Sequence, residues 1–142
     1  MNEPDGLVLL FKPESGGESV LIEDNGRVAY AYLLDGTGTI CAQVWLYNRC
    51  VAPDEPEWTS SQTPPFANAR GYVRTDIDIP LPTASDDFSV RWQNASGDAY
   101  HADIWIGGNI VARLAPGVTP GWSVLAAQDG PLARAPVTNL SL

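Results

Sequence analysis

The sequence predicts an all-β protein, an antiparallel β-sandwich or a partly open barrel of about eight to ten short strands, with little or no helix. Three observations predict this class. Apolar and polar residues alternate with a period of two, turn residues separate the alternating runs, and no useful length of chain has a helical period. A chain of 142 residues with no linker and no repeat favours a single domain over residues 1–142.

The first half of the chain predicts a hairpin and a third strand. Residues 19–24 and 26–36 are β-rich runs joined by Asp24-Asn25-Gly26, and an Asn-Gly pair between apolar runs is a strong hairpin signal. After a turn at 35–38, residues 40–47 alternate. One set of side chains is expected on one face and a second set on the other: Ile40, Ala42, Val44 and Leu46 against Cys41, Gln43, Trp45 and Tyr47.

A long irregular loop is predicted at residues 52–71. It contains four prolines and Trp58, and it has neither a strand nor a helix pattern. Loops longer than about 12–15 residues are uncommon in compact domains and usually carry function or are disordered. Because prolines lower the entropy lost when a loop is ordered, we interpret this segment as a recognition loop.

The second half predicts further strands. Residues 71–80 alternate, with Val73, Thr75, Ile77 and Ile79 expected to face inward. Three strands are predicted across 87–114, with turns at 94–97 and 107–109, and a short strand is predicted near Trp122. The tail from Asp129 is expected to add an edge strand or to lie on the surface.

The charge of the chain restricts its partners. Seventeen acidic residues against eight basic ones give a net charge of −9, and residues 1–57 alone carry −7. Phosphate binding needs clustered Lys and Arg, so neither nucleic acid nor an anionic membrane is an expected partner. A basic protein surface is the natural complement, with simple solubility as the alternative reason for the charge.

The amino terminus predicts a soluble, cytoplasmic protein. It has no basic leading region, and its apolar run, Leu7 to Phe11, is too short for a signal peptide. In that compartment Cys41 and Cys50 are expected to stay reduced, with a Cys41–Cys50 disulfide left open for an exported chain.

Candidate catalytic groups are sparse. His101 and Asp103 alternate on one predicted strand face, as a general base and its orienting partner would, but no nucleophile motif accompanies them. Asp76 and Asp78 could pair for metal or glycosidase chemistry, but a solvated strand face is the favoured explanation. The sequence therefore predicts no enzyme, no catalytic residue, no metal site and no cofactor.

The tryptophans divide into two groups. Trp92 and Trp122 are expected to be structural, and Trp58 and Trp105 are expected to be exposed. Exposed aromatic residues anchor protein interfaces. They also stack on sugars, so a carbohydrate-binding sandwich that uses Trp45, Trp58 or Trp105 is the alternative function.

The segment from Asp103 to Ala135 includes the patterns "PGVTPGWS" and "GPLA". It resembles the carboxyl-terminal part of small acidic bacterial immunity proteins, which neutralise secreted polymorphic toxins. The resemblance covers about a quarter of the chain and rests on scaffold positions: Gly117, Pro120 and Gly121 for a turn, and Trp122 for its anchor. It implies a cytoplasmic inhibitor whose partner is a cognate toxin domain, and it assigns no functional residue.

Size, charge and the stiffened loop favour the inhibitor hypothesis. The expected mechanism is occlusion, in which carboxylates imitate the anionic ligand of a basic cleft and Trp58 enters a pocket of the partner. Six residues of the loop are the predicted partner contacts: Asp54, Glu55, Glu57, Trp58, Phe66 and Arg70.

Overall fold

The computed structural model describes residues 7–12, 17–59, 65–77, 81–82, 84–94 and 100–135. It confirms the all-β class, with two antiparallel four-stranded sheets in a sandwich-like arrangement. The first sheet contains, in order, β1 (Leu7–Phe11), β2 (Ser19–Asp24), β3 (Val28–Leu34) and β4 (Ile40–Asn48). The second contains β5 (Phe88–Asn94), β6 (Tyr100–Ile106), β7 (Asn109–Leu114) and β8 (Trp122–Ser123).

The predicted hairpin between β2 and β3 is confirmed, and its turn chemistry explains it. Gly26 has a φ of 87°, a conformation that glycine adopts without steric cost. The Asn25 side-chain oxygen accepts hydrogen bonds from the backbone N–H groups of Arg27 and Val28. The two central turn residues thus close the hairpin through their own side chain and backbone.

One strand lies where the sequence predicted none. β1 pairs with β2 over its whole length, from Leu7 opposite Asp24 to Phe11 opposite Val20. Its inward side chains pack half-buried against the core, while Val8 and Leu10 are 69% and 53% exposed. Because the outer face of this strand is also apolar, its sequence shows no apolar–polar alternation and did not indicate a strand.

The predicted alternation of β4 is wrong at two places, and β-bulges are the reason. The register with β3 shifts between Ala29 and Tyr30, so Trp45 pairs with Tyr30 whereas Tyr47 pairs with Ala29. Their side chains therefore lie on opposite faces, and both are buried. A second shift, between Leu33 and Leu34, turns Ile40 to the outer face, where it is 52% exposed.

The strand predicted over residues 71–80 does not form in the described part of that range. A 3-10 turn spans Arg70–Tyr72, and Val73 makes only an isolated bridge to Ala126. The Arg74 guanidinium then donates two hydrogen bonds to the carboxylate of Asp76, at 2.9 and 2.7 Å, which favours a bend over an extended chain. Ile79 and Asp78 lie outside the described residues, as do the predicted turn residues 95–97.

The tail from Asp129 forms backbone hydrogen bonds with both sheets. The Leu132 carbonyl accepts from Trp45 N–H, and Arg134 forms a parallel bridge with Trp122. Gly121 completes this junction, since its N–H donates to Gln43 and its carbonyl accepts from Arg134. The junction joins the free edge of β4 to the second sheet, so the sandwich is partly closed on that side. Residues 136–142 are not described.

The helical content of the described chain is limited to three 3-10 turns: Glu57–Thr59, Arg70–Tyr72 and Ser85–Asp87. None of the described segments is a helix of the length and apolarity that crossing a membrane requires. Cys41 and Cys50 are both free thiols.

Substituting Gly121 by Ala should destabilise the fold strongly. A Cβ at this position would lie 2.2 Å from the carbonyl oxygen of Arg113, and this backbone atom cannot move without breaking the β7–β8 pairing. We expect a loss of about 1–3 kcal/mol in the free energy of unfolding, measured by urea denaturation. Gly108→Ala is the matched control, because a Cβ there meets nothing within 4 Å. Equal denaturation midpoints for the two variants would contradict the assignment of Gly121 to a crowded junction.

Candidate functional site

A groove of about 530 Å³ lies where the long loop crosses the outer face of the first sheet. Four aromatic residues, two prolines, one leucine and one amide line it: Tyr30, Tyr32, Trp58, Phe66, Pro65, Pro131, Leu132 and Gln43. Its size falls within the range of about 300–1,000 Å³ that is usual for ligand sites. We take it as the candidate functional site.

The floor of the groove is formed by two tyrosines of β3. Tyr30 and Tyr32 are two residues apart in a strand and so share a face, and their rings stack at 6.2 Å with 13° between the planes. The Tyr30 hydroxyl donates to the Phe66 carbonyl at 2.7 Å, which ties the loop to the sheet. Burial raises the pKa of both phenols, so both remain neutral at physiological pH.

Trp58 forms one wall. It lies on the 3-10 turn Glu57–Thr59 and packs edge-to-face against Tyr72, with ring centroids 5.3 Å apart and an interplanar angle of 78°. The side chain is half-buried against the core. Such pairs add about 0.5–1.5 kcal/mol beyond burial, so the indole is held in place with one part facing the groove.

Side chains of the sheet satisfy backbone groups of the loop in its second described part, residues 65–71. Asn48, at the end of β4, donates to the Asn68 carbonyl and accepts from the Asn68 N–H, each at 2.9 Å. The same Asn48 oxygen accepts from the indole N–H of the buried Trp45 at 2.9 Å. One amide therefore joins the far end of the loop to a core tryptophan.

Glu57 is a second tie within the loop. Its carboxylate accepts from the Ala67 N–H at 2.8 Å and forms an ion pair with Arg27, and the side chain is only 14% exposed. Hydrogen bonding to Glu57 raises the pKa of Arg27. Glu57 thus holds the loop against the β2–β3 turn, a position that leaves little of it for a partner to contact.

The other predicted partner contacts form two groups. One is exposed and charged, and is called the acidic loop tip; the other forms a wall of the groove. Asp54 and Arg70 pair with each other at 2.8 Å and are 73% and 69% exposed, and Glu55 is exposed beside them. Trp58 and Phe66 are half-buried and line the groove. The structure therefore separates an acidic loop tip from an aromatic groove on the same loop.

Sequence reasoning missed the sheet residues of the groove, Tyr30, Tyr32 and Gln43, and the tail residues Pro131 and Leu132. The signal available was the spacing of the two tyrosines, which places both rings on one strand face. Gln43 lies directly across from Tyr32, but this pairing depends on the β-bulges of β4. The tail reaches the groove through long-range backbone bonds, in which the Leu132 carbonyl accepts from the Trp45 N–H and Gly121 bonds to Gln43 and Arg134.

The three tryptophans proposed as platforms for sugar binding differ in burial and surroundings. Trp45 is fully buried, so its expected role as a surface platform is wrong. The ring of Trp105 is covered by the guanidinium of Arg91, 4.0 Å from its centroid. Trp92 packs half-buried against the core, as expected of a structural residue. Trp58 alone of the three proposed platforms lines the groove.

The His101–Asp103 pair does not have the geometry of a catalytic dyad. The Nε2 atom of His101 lies 3.9 Å from Asp103, beyond a hydrogen bond. Asp103 is instead engaged by the Arg113 guanidinium through two bonds of 2.7 and 3.1 Å. Burial lowers the pKa of His101, so the imidazole stays neutral to a lower pH than an ordinary histidine does. Asp98 is not described.

No cluster of three or more His, Cys, Asp or Glu side chains suited to a metal ion occurs within the described ranges. Asp76 is engaged by Arg74 on an exposed bend, and Asp87 accepts from the backbone of Ala84 in the turn before β5. These carboxylates take part in local turn structure.

Comparison with protein-family models, curated proteins and solved structures found no match to the chain. These comparisons leave the predicted resemblance of Asp103 to Ala135 to immunity proteins untested, and the described residues of that segment belong to the scaffold. Gly117 has a φ of 77°, and Gly121 forms the inter-sheet junction. The function must therefore be argued from the groove, the loop tip and the charge.

Asn48→Ala should loosen the loop. The change removes both partners of Asn68 and the acceptor of the buried Trp45 indole, and unsatisfied buried groups cost about 1–3 kcal/mol. We expect a lower urea midpoint and faster amide exchange at Asn68. Gln93→Ala, at an exposed position of β5, is the control and should stay within about 0.5 kcal/mol of the parent. Unchanged exchange at Asn68 in Asn48→Ala would contradict this role.

His101 should make the fold less stable in mild acid. Its pKa in the folded state is lowered by burial, whereas the unfolded imidazole titrates near 6.5. The unfolded state therefore binds more protons below that pH, and stability is lost as the pH falls through 6.5. Urea titrations from pH 8 to 5 should show a smaller loss for His101→Gln than for the parent. Parallel pH profiles would refute the assignment.

Proposed function

We propose that this chain is an inhibitor that binds a basic protein domain and occludes its functional surface, as an immunity protein does with its toxin. One observation carries the proposal. The exposed Glu55 of the acidic loop tip lies three residues before Trp58, which forms a wall of the aromatic groove. Many protein interfaces have aromatic residues at the centre that hold the complex together. A charged rim surrounds them and increases the association rate.

The charge distribution supports a basic partner. Five of the eight basic residues, Arg27, Arg49, Arg70, Arg74 and Arg113, already form ion pairs with carboxylates. Little positive charge is left at the surface to repel a basic partner, while the net charge of the chain is −9. Long-range attraction of this kind raises association rates and fades with salt.

The outer face of the first sheet extends the apolar surface beyond the groove. Val8, Leu10 and Ile40 are all more than half exposed on this face. Leu10, Leu21, Tyr32 and Gln43 form one continuous cross-strand row that ends at the groove. Exposed apolar surface next to a charged rim favours a macromolecular partner over a role for the charge in solubility alone.

Hydrogen bonds of the described loop residues, 52–59 and 65–71, also support a preformed binding surface. Tyr30 and Asn48 tie the described parts of the loop, residues 52–59 and 65–71, to the sheet, and Glu57 ties these two parts to each other. The Arg70 N–H also donates to the Pro53 carbonyl at 2.8 Å. A loop already ordered in the free protein loses less entropy on binding.

A carbohydrate-binding sandwich is the second candidate, and the groove is the place where it would act. Trp58 and Tyr32 offer aromatic faces, and Gln43 offers an exposed amide for hydroxyl groups. Soluble glycans that bind at millimolar concentration or below and quench Trp58 fluorescence would favour this candidate over the inhibitor.

Charge reversal at the loop tip tests the inhibitor proposal. The binding partner to use is the protein encoded next to this chain, and affinity is measured by calorimetry at low and high salt. Glu55→Lys should weaken binding at low salt by about tenfold, with most of the effect on the association rate. Asp86→Lys, an equal charge change at an exposed turn before β5, is the control and should change affinity little.

Equal affinities for parent, Glu55→Lys and Asp86→Lys would remove the loop tip from the interface. No binding of the parent chain to that protein, with glycan binding at the groove, would replace the inhibitor proposal by the second candidate. Glu57 is left unchanged in this test because it holds the loop together.

A further inference from the structure

The groove contains four aromatic side chains and no cation among the residues that line it. Elsewhere in the described ranges, guanidinium groups lie over aromatic rings: Arg91 on Trp105 at 4.0 Å, Arg49 on Tyr47 at 5.4 Å and Arg113 on Trp122 at 5.6 Å. The rings of the groove thus have the chemistry of a cation–π site with its cation supplied from outside.

Negative charge lies beside both tyrosines of the groove floor. Glu23 of β2 is directly opposite Tyr30 on the outer face, and it is exposed. Tyr32 has its pKa raised by burial first and by the charge of Glu23 second. Within the described chain, Glu23 has no ion-pair partner, unlike Glu57 on the other side of Tyr30. A carboxylate of this kind stabilises a cation that enters above the ring of Tyr32.

The shape and polarity of the groove select among cations. Its aromatic and proline walls suit a side chain with an apolar stem and a flat head, and the Gln43 amide offers an acceptor at the rim. Arginine has a planar, weakly hydrated guanidinium that stacks on aromatic faces and donates in its plane, whereas the compact ammonium of lysine is more strongly hydrated. An arginine side chain therefore fits these contacts better than lysine does.

We propose that the groove between Tyr32 and Trp58 binds an arginine side chain of the basic partner, with its guanidinium stacked on the aromatic faces and its charge balanced by Glu23. This inference rests on the proposed inhibitor function and specifies how that function recognises its partner. The acidic loop tip then steers the partner, and the groove holds one residue of it.

The test uses the full chain and small probes in place of the partner. N-acetyl-arginine amide carries the guanidinium with no carboxylate, N-acetyl-citrulline amide has nearly the same shape without the charge, and N-acetyl-lysine amide carries a charge without the plane. Chemical-shift titration of the Trp58 indole and the Gln43 side-chain amide reports on the groove. We expect saturable millimolar binding of the arginine probe, at least about fivefold tighter than either other probe.

Matched variants locate the site. Tyr32→Leu should weaken the arginine probe by about fivefold or more, and Tyr32→Phe, which keeps the ring, should bind as the parent does. Glu23→Gln should weaken it by a few-fold, and Asp86→Asn should not. The dispersion of the amide spectrum and the urea midpoint check that each variant is folded.

Three outcomes overturn the inference: equal affinity for arginine and citrulline probes, full affinity in Tyr32→Leu, or shifts that map away from the groove. Saturation of the groove by a tetraproline peptide or a glycan, with no response to the arginine probe, would assign it another ligand. If one of these outcomes occurs while the partner protein still binds the parent chain, and Glu55→Lys weakens that binding, the inhibitor proposal stands and the arginine site fails. If the arginine probe binds but the partner does not, the inhibitor proposal fails and the site stands.

Discussion

The long loop can keep one shape only if the backbone groups that it buries find hydrogen-bond partners, and the whole candidate site depends on this constraint. Within its described residues, 52–59 and 65–71, the loop pairs with no strand that would supply them. Asn48 fills that need at Asn68, the Tyr30 hydroxyl does so at Phe66, and Glu57 does so at Ala67. Since buried polar groups without partners are costly, these three side chains determine where the loop lies.

The bulges of β4 connect this constraint to the core. Trp45 lies on the outer face opposite Tyr30, and its indole N–H donates to Asn48, which follows the first bulge and lies under the loop. Tyr47 turns the other way, and its hydroxyl donates to the buried carboxylate of Asp24, which Arg49 also contacts. A single extra residue in one strand thus supplies both a buried polar centre and the anchor for the groove. The charge on this surface then favours a cationic partner.

Two of the residues predicted from the sequence as partner contacts lie in the candidate groove. Trp58 and Phe66 were predicted as contacts, and both line the groove, because a proline-rich loop with aromatic residues is visible as a pattern. Tyr30 and Tyr32 were not predicted, since alternation within one strand does not reveal what covers its outer face. Glu57 was expected among the contacts, but its position depends on Arg27 and Ala67, which are distant in sequence.

The sequence by itself determined the all-β class, the hairpin at Asn25-Gly26, the excess of acid and the existence of the long loop. These properties follow from local periodicity, turn chemistry and composition. Only the tertiary structure decided that Trp45 is buried, that Ile40 faces out and that the tail seals the edge of β4. Bulges and long-range hydrogen bonds decide such matters, because one extra residue in a strand reverses every side chain beyond it.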